Sequence, residues 1–543
     1  MSWRYPGPTL RVKPGDRVQV LVQNNLNQPP APTTEPSPPS DPSEYAPVIN
    51  IHYHGLHVTP VAPGDDILHI NINAGTSYQY DFTIPDNHPG GTYWYHPHYH
   101  GASAIQVSNG VAGALIVDGD FDNFPPIAQA KDVVLVLQGI MADPGTGFAA
   151  NLLVNGQYKP TIQMQPGEVQ RWRFVGATMQ LSAVVELELF SADEPNNSLK
   201  VMYQIAQDGI QFRNDQWSTT PRQNFLLAPG NRSDFLVQAP QKPGRYLLRA
   251  RRTSPADNVQ NLQSPPLSTP TPLPFLEAAA VLVLEVVSAS GSDYLKTLPK
   301  ELPPYPDRIA DLLRPITDDE LKDGDKERKR SLVFNFINGV EIDAAPFPAP
   351  PTVGTPPAGT PFPTPPAETP FPTPPTHDHG VTLVHSMVLG TAEEWTLYNI
   401  TSIVHPFHIH VNSFVVTEVY DPTNALTPGP APTATSEPTP LPGTTTSPMT
   451  WQDTILLPPA QTDSNGNCNG EAGYVVIRHR FTDFIGQYVL HCHNLLHEDA
   501  GMMQAVEVMA SEKDIPAGTG WQDHEKPAQG LTLPPSCVLI PST

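Results

Sequence analysis

The chain has 543 residues, about three to four domains by length, and its 54 acidic against 30 basic side chains give a net charge of −24. Such acidity argues against nucleic acid and anionic membrane surfaces as partners, since both need a basic patch. The 67 prolines disfavour long helices and favour an all-β protein with irregular loops. No apolar run approaches the ~18 residues of a membrane span, so no membrane insertion is expected.

The first residues carry no secretory signal. Ser2-Trp3-Arg4 leads straight into Tyr5-Pro6-Gly7-Pro8-Thr9, which reads as folded protein, so the chain is either intracellular or already trimmed of its leader. A Gly turn before an alternating strand then recurs three times. Lys13-Pro14-Gly15-Asp16 precedes Val18-Gln19-Val20, Gln165-Pro166-Gly167-Glu168 precedes Trp172-Arg173-Phe174, and Leu389-Gly390-Thr391 precedes Trp395-Thr396-Leu397. A second motif recurs as Gly91-Thr92-Tyr93, Gly244-Arg245-Tyr246 and Gly486-Gln487-Tyr488, with His96, Arg249 and His491 three residues after each tyrosine. This self-similarity predicts three β-sandwich units, 1–124, 125–290 and 330–512, with a linker at 291–329 and a tail at 513–543. The stretch 278–287 reads as a buried strand, and 321–330 as a solvated linker or short helix. The Pro/Thr-rich tracts 28–47, 344–376 and 421–449 read as extended surface insertions.

Histidine placement is the most informative feature. Of 19 histidines, eight lie between His52 and His100, eleven between His377 and His524, and none from 101 to 376. Four His-x-His units stand out: His52/His54, His96/His98, His408/His410 and His491/His493. On a β-strand, residues i and i+2 share a face, so each unit presents two imidazoles together. Imidazole is the commonest transition-metal ligand, and the two blocks are expected to share one metal site.

The string His491-Cys492-His493-Asn494-Leu495-Leu496-His497-Glu498-Asp499-Ala500-Gly501-Met502 is the most specific. Alternation sets Cys492 on the face opposite His491 and His493. With His405, the segment offers two imidazoles (His405, His497), one thiolate (Cys492) and one thioether (Met502), the ligand set of a blue-copper site. A zinc site fits poorly, because zinc rarely recruits methionine.

The segments His52–Gly55, Trp94–His98, His405–His410 and His491–Met502 resemble, in order, the four copper motifs of the multicopper oxidases. The likeness spans residues 5 to about 508 and suggests a bacterial three-domain, laccase-like member. It implies an all-β fold of three consecutive cupredoxin-like Greek-key β-sandwich domains and four copper ions. By motif position, His405, Cys492, His497 and Met502 would hold a type 1 copper and His52 and His408 a type 2 copper. His54, His96, His98, His410, His491 and His493 would hold the type 3 pair. The three coppers of the trinuclear cluster would lie between the first and third domains. His57, His69, His88, His100, His377, His379, His385, His479 and His524 match no motif and read as ordinary polar residues.

The implied reaction is one-electron oxidation of phenols or aromatic amines coupled to reduction of dioxygen to water. Dioxygen reduction consumes protons, so buried carboxylates are expected as relays. Glu498 follows His497, and Asp65 lies where the family often places an acid, with Asp66 as the alternate register. Oxidation of Cu(I) or another metal ion is an alternative, ranked lower because the 10 methionines form no cluster. Bilirubin-type oxidation is a third. A non-catalytic electron-transfer protein would need only four ligands and leaves eight histidines without a task. Cys468 and Cys537 are expected to join the tail to the third unit. The resemblance further implies a secreted or periplasmic monomer.

Overall fold

The computed structural model describes residues 5–26, 47–140, 151–179, 185–194, 198–222, 224–252, 280–288, 294–337, 339–343, 347, 383–423, 450–525 and 531–539. His377, His379 and nearly all of the three Pro/Thr-rich tracts lie outside the described residues.

Strands dominate, and they build three cupredoxin-like sandwiches in succession. The first pairs Leu10–Val12, Gly113–Val117 and Gly91–Tyr95 in one sheet and Arg17–Gln23 with Ser77–Thr83 in the other. Alternation explains the second pair: Val18, Val20 and Val22 face the core while Arg17, Gln19 and Gln23 face out. The middle unit packs a five-stranded on a six-stranded sheet, around Trp172, Phe174, Phe225 and Phe235. The third repeats that plan around Trp395, Phe407, Phe414 and Ile477.

The repeats seen in the sequence occupy equivalent places. Gly15, Gly167 and Gly390 each take a left-handed conformation, with φ of 87°, 74° and 82°, at the turn into a strand. In each unit an early strand runs parallel to a late one: Leu10–Val12 beside Gly113–Val117, Thr161–Met164 beside Ala280–Val286, and Leu383–Val388 beside Met503–Met509. The late strand pairs antiparallel with the strand that opens on Gly91, Gly244 or Gly486. Ala280–Val286 is the expected buried strand.

The stretch 321–330 differs from expectation. Leu321 ends a short helix, Asp318–Leu321, and the residues after it are solvated but paired rather than a loose linker. Lys322–Asp323 pairs with Lys326–Glu327 in a hairpin that runs into the strand Lys329–Asn335. Just before it, Ile309, Leu313, Ile316 and Leu321 are buried against Ile210 of the middle unit and Ala392, Val415 and Trp451 of the third. Apolar spacing within a charged segment is what lets it pack. A disulfide joins Cys468 to Cys537, which leaves Cys492 as the free cysteine among the described residues. None of the described helices is long and apolar enough to cross a membrane.

Candidate metal centre

Two neighbouring strands of the third unit carry both halves of the site. His405–Ile409 pairs with Gly486–Cys492 in the register Phe407↔Cys492 and His408↔His491. Paired residues share a face. His405, Phe407 and Cys492 therefore look into the third unit's core, and His408 and His491 look the other way, toward the first unit. There a backbone bridge between His52 and His96 (N···O 2.8 and 3.1 Å) brings the two histidine segments of the first unit together.

On the core side, His405 Nδ1 lies 3.3 Å from Cys492 Sγ, His497 Nδ1 3.7 Å from the same sulfur, and the two nitrogens are 3.3 Å apart. His405 Nε2–H donates to Thr401 Oγ1 at 2.8 Å, which leaves Nδ1 with its lone pair toward the sulfur. Met502 is fully buried in the same cluster, and its carbonyl accepts the Cys492 N–H at 3.0 Å. Burial pushes the Cys492 thiol up, so the thiolate needs a bound cation to form.

On the other side eight imidazoles converge. His98 Nε2 lies 3.1 Å from His491 Nε2 and 3.2 Å from His410 Nε2, and His54 Nδ1 lies 3.2 Å from His493 Nε2. Nitrogens around an ion with bonds of ~2 Å stand about this far apart. The rings are fully or almost fully buried. Burial holds His52, His54, His96, His410, His491 and His493 well below the usual histidine range, and His98 at about 4, so they are neutral donors.

Their outward nitrogens are fixed. Nδ1 of His52 meets Asp65 Oδ2 at 2.8 Å, Nδ1 of His96 meets the Pro97 carbonyl at 3.0 Å, and Nδ1 of His408 meets the Asp453 carbonyl at 2.8 Å. The opposite nitrogens, Nε2 of all three, are buried without a hydrogen-bond partner among the described residues. Orphaned imidazole nitrogens cost free energy unless something occupies the space between them. The donor set fits copper on both sides: a thiolate with two imidazoles on one, all-imidazole cages on the other.

All twelve residues singled out in the sequence thus fall into these two neighbourhoods. Glu498 is fully buried, with its oxygens 3.4 Å from His98 Nδ1 and 3.0 Å from His491 Nδ1. Asp65, not Asp66, reaches the cluster; Asp66 turns to His69. Burial raises both Glu498 and Asp65. His100 packs on Phe347, and His57 bonds the Val411 carbonyl and Asp483. His385 lies between Arg330 and Gln504, and His479 against Trp395. Sequence reasoning missed Asp453, whose Oδ1 is 3.1 Å from His54 Nε2, and Asp499, which accepts the N–H groups of Gly101, Ser103 and Ala104 across the boundary with the first unit. Asp453 stands in Trp451-Gln452-Asp453-Thr454, a string with no histidine or cysteine to flag it.

Two stretches match family profiles described as multicopper oxidase: residues 46–121 and residues 348–512. Laccase-3 of Oryza sativa subsp. japonica is 26% identical over 333 residues, covering 56% of this chain and 49% of that protein. Laccase-2 of Fomitopsis schrenkii is 24% identical over 551 residues, covering 94% of this chain and 85% of that protein. The chain spans about half the length of the plant laccases it matches. Among solved structures, the McoA multicopper oxidase of Aquifex aeolicus shares the fold with a TM-score of 0.60 at 20% identity, covering 92% of this chain and 89% of that one. A laccase-like multicopper oxidase, CueO, from Ochrobactrum sp. does so with a TM-score of 0.58 at 21% identity, covering 93% and 91%. Both matched stretches carry the converging histidines, and over these stretches the chain is similar to the multicopper oxidases.

Proposed function

We propose that the chain is a laccase-like oxidase that takes single electrons from small phenols or aromatic amines and passes them to dioxygen, which becomes water. The observation that carries this reading is the placement of Cys492 between His491 and His493. Its sulfur faces His405 and His497, and its two neighbours face the eight-histidine cluster, so a few covalent bonds join the two centres. The family's cofactors are four copper ions: one type 1, one type 2 and a type 3 pair. His405, Cys492, His497 and Met502 would hold the first, His52 and His408 the second, and His54, His96, His98, His410, His491 and His493 the pair. Bound there, copper supplies one-electron transfer and four-electron reduction of dioxygen.

The chain's own residues do the rest. Asp65, the Pro97 and Asp453 carbonyls and Thr401 fix which nitrogen of each ring is free. Glu498 and Asp65, carboxyls whose pKa burial raises, stand beside ring nitrogens and are placed to relay the protons that dioxygen reduction consumes. Phe336, 42% exposed, stands 5.4 Å from the His497 ring and 5.5 Å from His405, with Ile337 and Leu496 also exposed nearby in sequence to these groups. An exposed aromatic edge beside the electron-entry ligands suits a flat aromatic donor. The disulfide and the copper chemistry suit a secreted or periplasmic monomer, with domains at 1–124, 125–290 and 330–512.

The test is dioxygen uptake by the copper-loaded protein with a methoxyphenol and with Cu(I) as parallel donors. Fast uptake with the phenol and little with Cu(I) is expected. Fast uptake with Cu(I) alone would replace the phenol reading by a metal-ion oxidase.

A further inference from the structure

The middle unit has no histidine, yet it forms a wall of the eight-histidine cluster. One of its tight turns presses against the site. At Gly230 (φ 89°) an added Cβ would lie 3.0 Å from the His493 ring and 3.1 Å from the His54 ring. Next to that turn stands Arg232, fully buried at 0% exposure.

All five N–H groups of the Arg232 guanidinium find acceptors, and the acceptors come from all three units. Nε donates to the Thr92 carbonyl of the first unit at 3.1 Å. Nη1 donates to the Gly230 carbonyl at 3.0 Å and Nη2 to the Asp208 carbonyl at 3.0 Å, both within the middle unit. The remaining two grip Asp453 of the third unit as a fork, Nη1 to Oδ1 at 2.7 Å and Nη2 to Oδ2 at 2.5 Å. Asp453 in turn sets two histidines. Its Oδ1 accepts from His54 Nε2, and its carbonyl accepts from His408 Nδ1. Asp208 backs the same strand, its Oδ2 accepting the Thr454 N–H at 3.2 Å.

We propose that Arg232 is a positioning residue for the copper cluster: by clamping Asp453 it fixes the tautomer and orientation of His54 and His408, so that the histidine-free middle unit sets the geometry of a site whose ligands belong to the other two. The inference rests on the ligand assignment proposed above. A guanidinium is the side chain able to do this, because a planar fork matches both carboxylate oxygens while three further N–H groups tie it to carbonyls of fixed direction. Gly55 shows how closely the clamp is seated: a Cβ there would fall 2.2 Å from Arg232 Nη2.

The decisive variant is Arg232→Lys, which keeps the charge but loses the fork. Arg173→Lys is its control. Arg173 is equally buried and binds Asp132, Asp122 and Asp234, but among the described residues none of these three carboxylates bonds a copper-site histidine as Asp453 does. Copper per chain, the intensity of the blue absorption, the type 2 resonance in EPR and the rate of copper release to a chelator are read for the parent and both variants. Arg232→Lys is expected to keep the blue absorption, to change the type 2 resonance, and to retain its non-blue copper about tenfold to a hundredfold less tightly. Arg173→Lys is expected to melt earlier and to leave the resonance and copper release as in the parent. If Arg232→Lys is insoluble, Asp453→Asn, which supplies one acceptor where the fork needs two, is expected to give the same selective pattern. An Arg232→Lys protein with parental resonance and release rate overturns the proposal, as does an Arg173→Lys protein that loses non-blue copper to the same degree. A parent chain that takes up only the blue copper overturns the ligand assignment, and this inference with it.

Discussion

The strands Gly244–Arg252 and Gly486–Cys492 are built alike and do different things. Each opens on a glycine with positive φ, 159° and 123°, and buries a tyrosine two residues later, Tyr246 and Tyr488. Each pairs antiparallel with the late strand of its unit. Three residues after the tyrosine they part. Arg249 pairs with Glu188 on the neighbouring strand of its own sheet, whereas His491 meets His98 of another unit. A single sandwich therefore does not make the eight-histidine cluster by itself. That cluster arises where the first and third units face one another, whereas the middle unit's counterpart pairs within its own sheet.

The largest break in this comparison comes from the residue that joins the two centres. Cys492→Ser is expected to abolish the blue absorption and to bring dioxygen uptake to background, while copper remains in the eight-histidine cluster; absorption and metal analysis check both. Glu498→Gln should come next. It keeps the shape and removes the proton store beside His98 and His491, so uptake should fall roughly a hundredfold with the blue colour intact.

Arg249→His sharpens the comparison from the other side. If facing units make the site, a histidine here recruits no metal. It only removes the Arg249–Glu188 pair, at a cost of ~1–3 kcal/mol, read as an earlier melt with unchanged copper per chain. Cys537→Ser opens the disulfide with Cys468, 69 residues away, and is expected to remove about 2–4 kcal/mol of stability with no change in copper content.

The smallest effect concerns pH. Despite desolvation, which opposes it, the Arg480 and Arg314 guanidinium groups and the Thr317 N–H hold the Glu320 carboxyl well below the usual carboxylate range. A carboxyl lowered in the folded state adds stability above its unfolded pKa and loses it as pH falls through the folded one. Glu320 is half-buried, so screening limits the contribution to under ~1 kcal/mol. Glu320→Gln should flatten this part of the acid-side decline in melting temperature.

The sequence made much of the site legible, because strand alternation is local. His408/His410 and His491/His493 could be assigned to one face, and Cys492 to the other, from a period of two. The empty histidine interval likewise marked the middle unit as one without ligands. What was not legible depends on contacts between distant segments. Arg232 and Asp453 are separated by 221 residues, and nothing near either one announces the other. Many of the groups that set the ring tautomers are backbone carbonyls, as at Pro97 and Asp453, and these have no side-chain signature. The hairpin at 322–327 was hidden by its charges, which dominate the local composition although the residues before it pack apolar side chains.

The separation of the ligands also has a consequence for biosynthesis. His54 and His493 lie 439 residues apart, and His98 and His491 lie 393 apart. A nascent chain exposes His52, His54, His96 and His98 long before their partners leave the ribosome, and a folded first unit at that stage offers half a cage. On the ligand assignment proposed above, tight binding would start only when the third unit has docked and the Arg232 junction has closed. Copper delivery would thereby be deferred to the finished polypeptide, and a truncated one would release the metal it met.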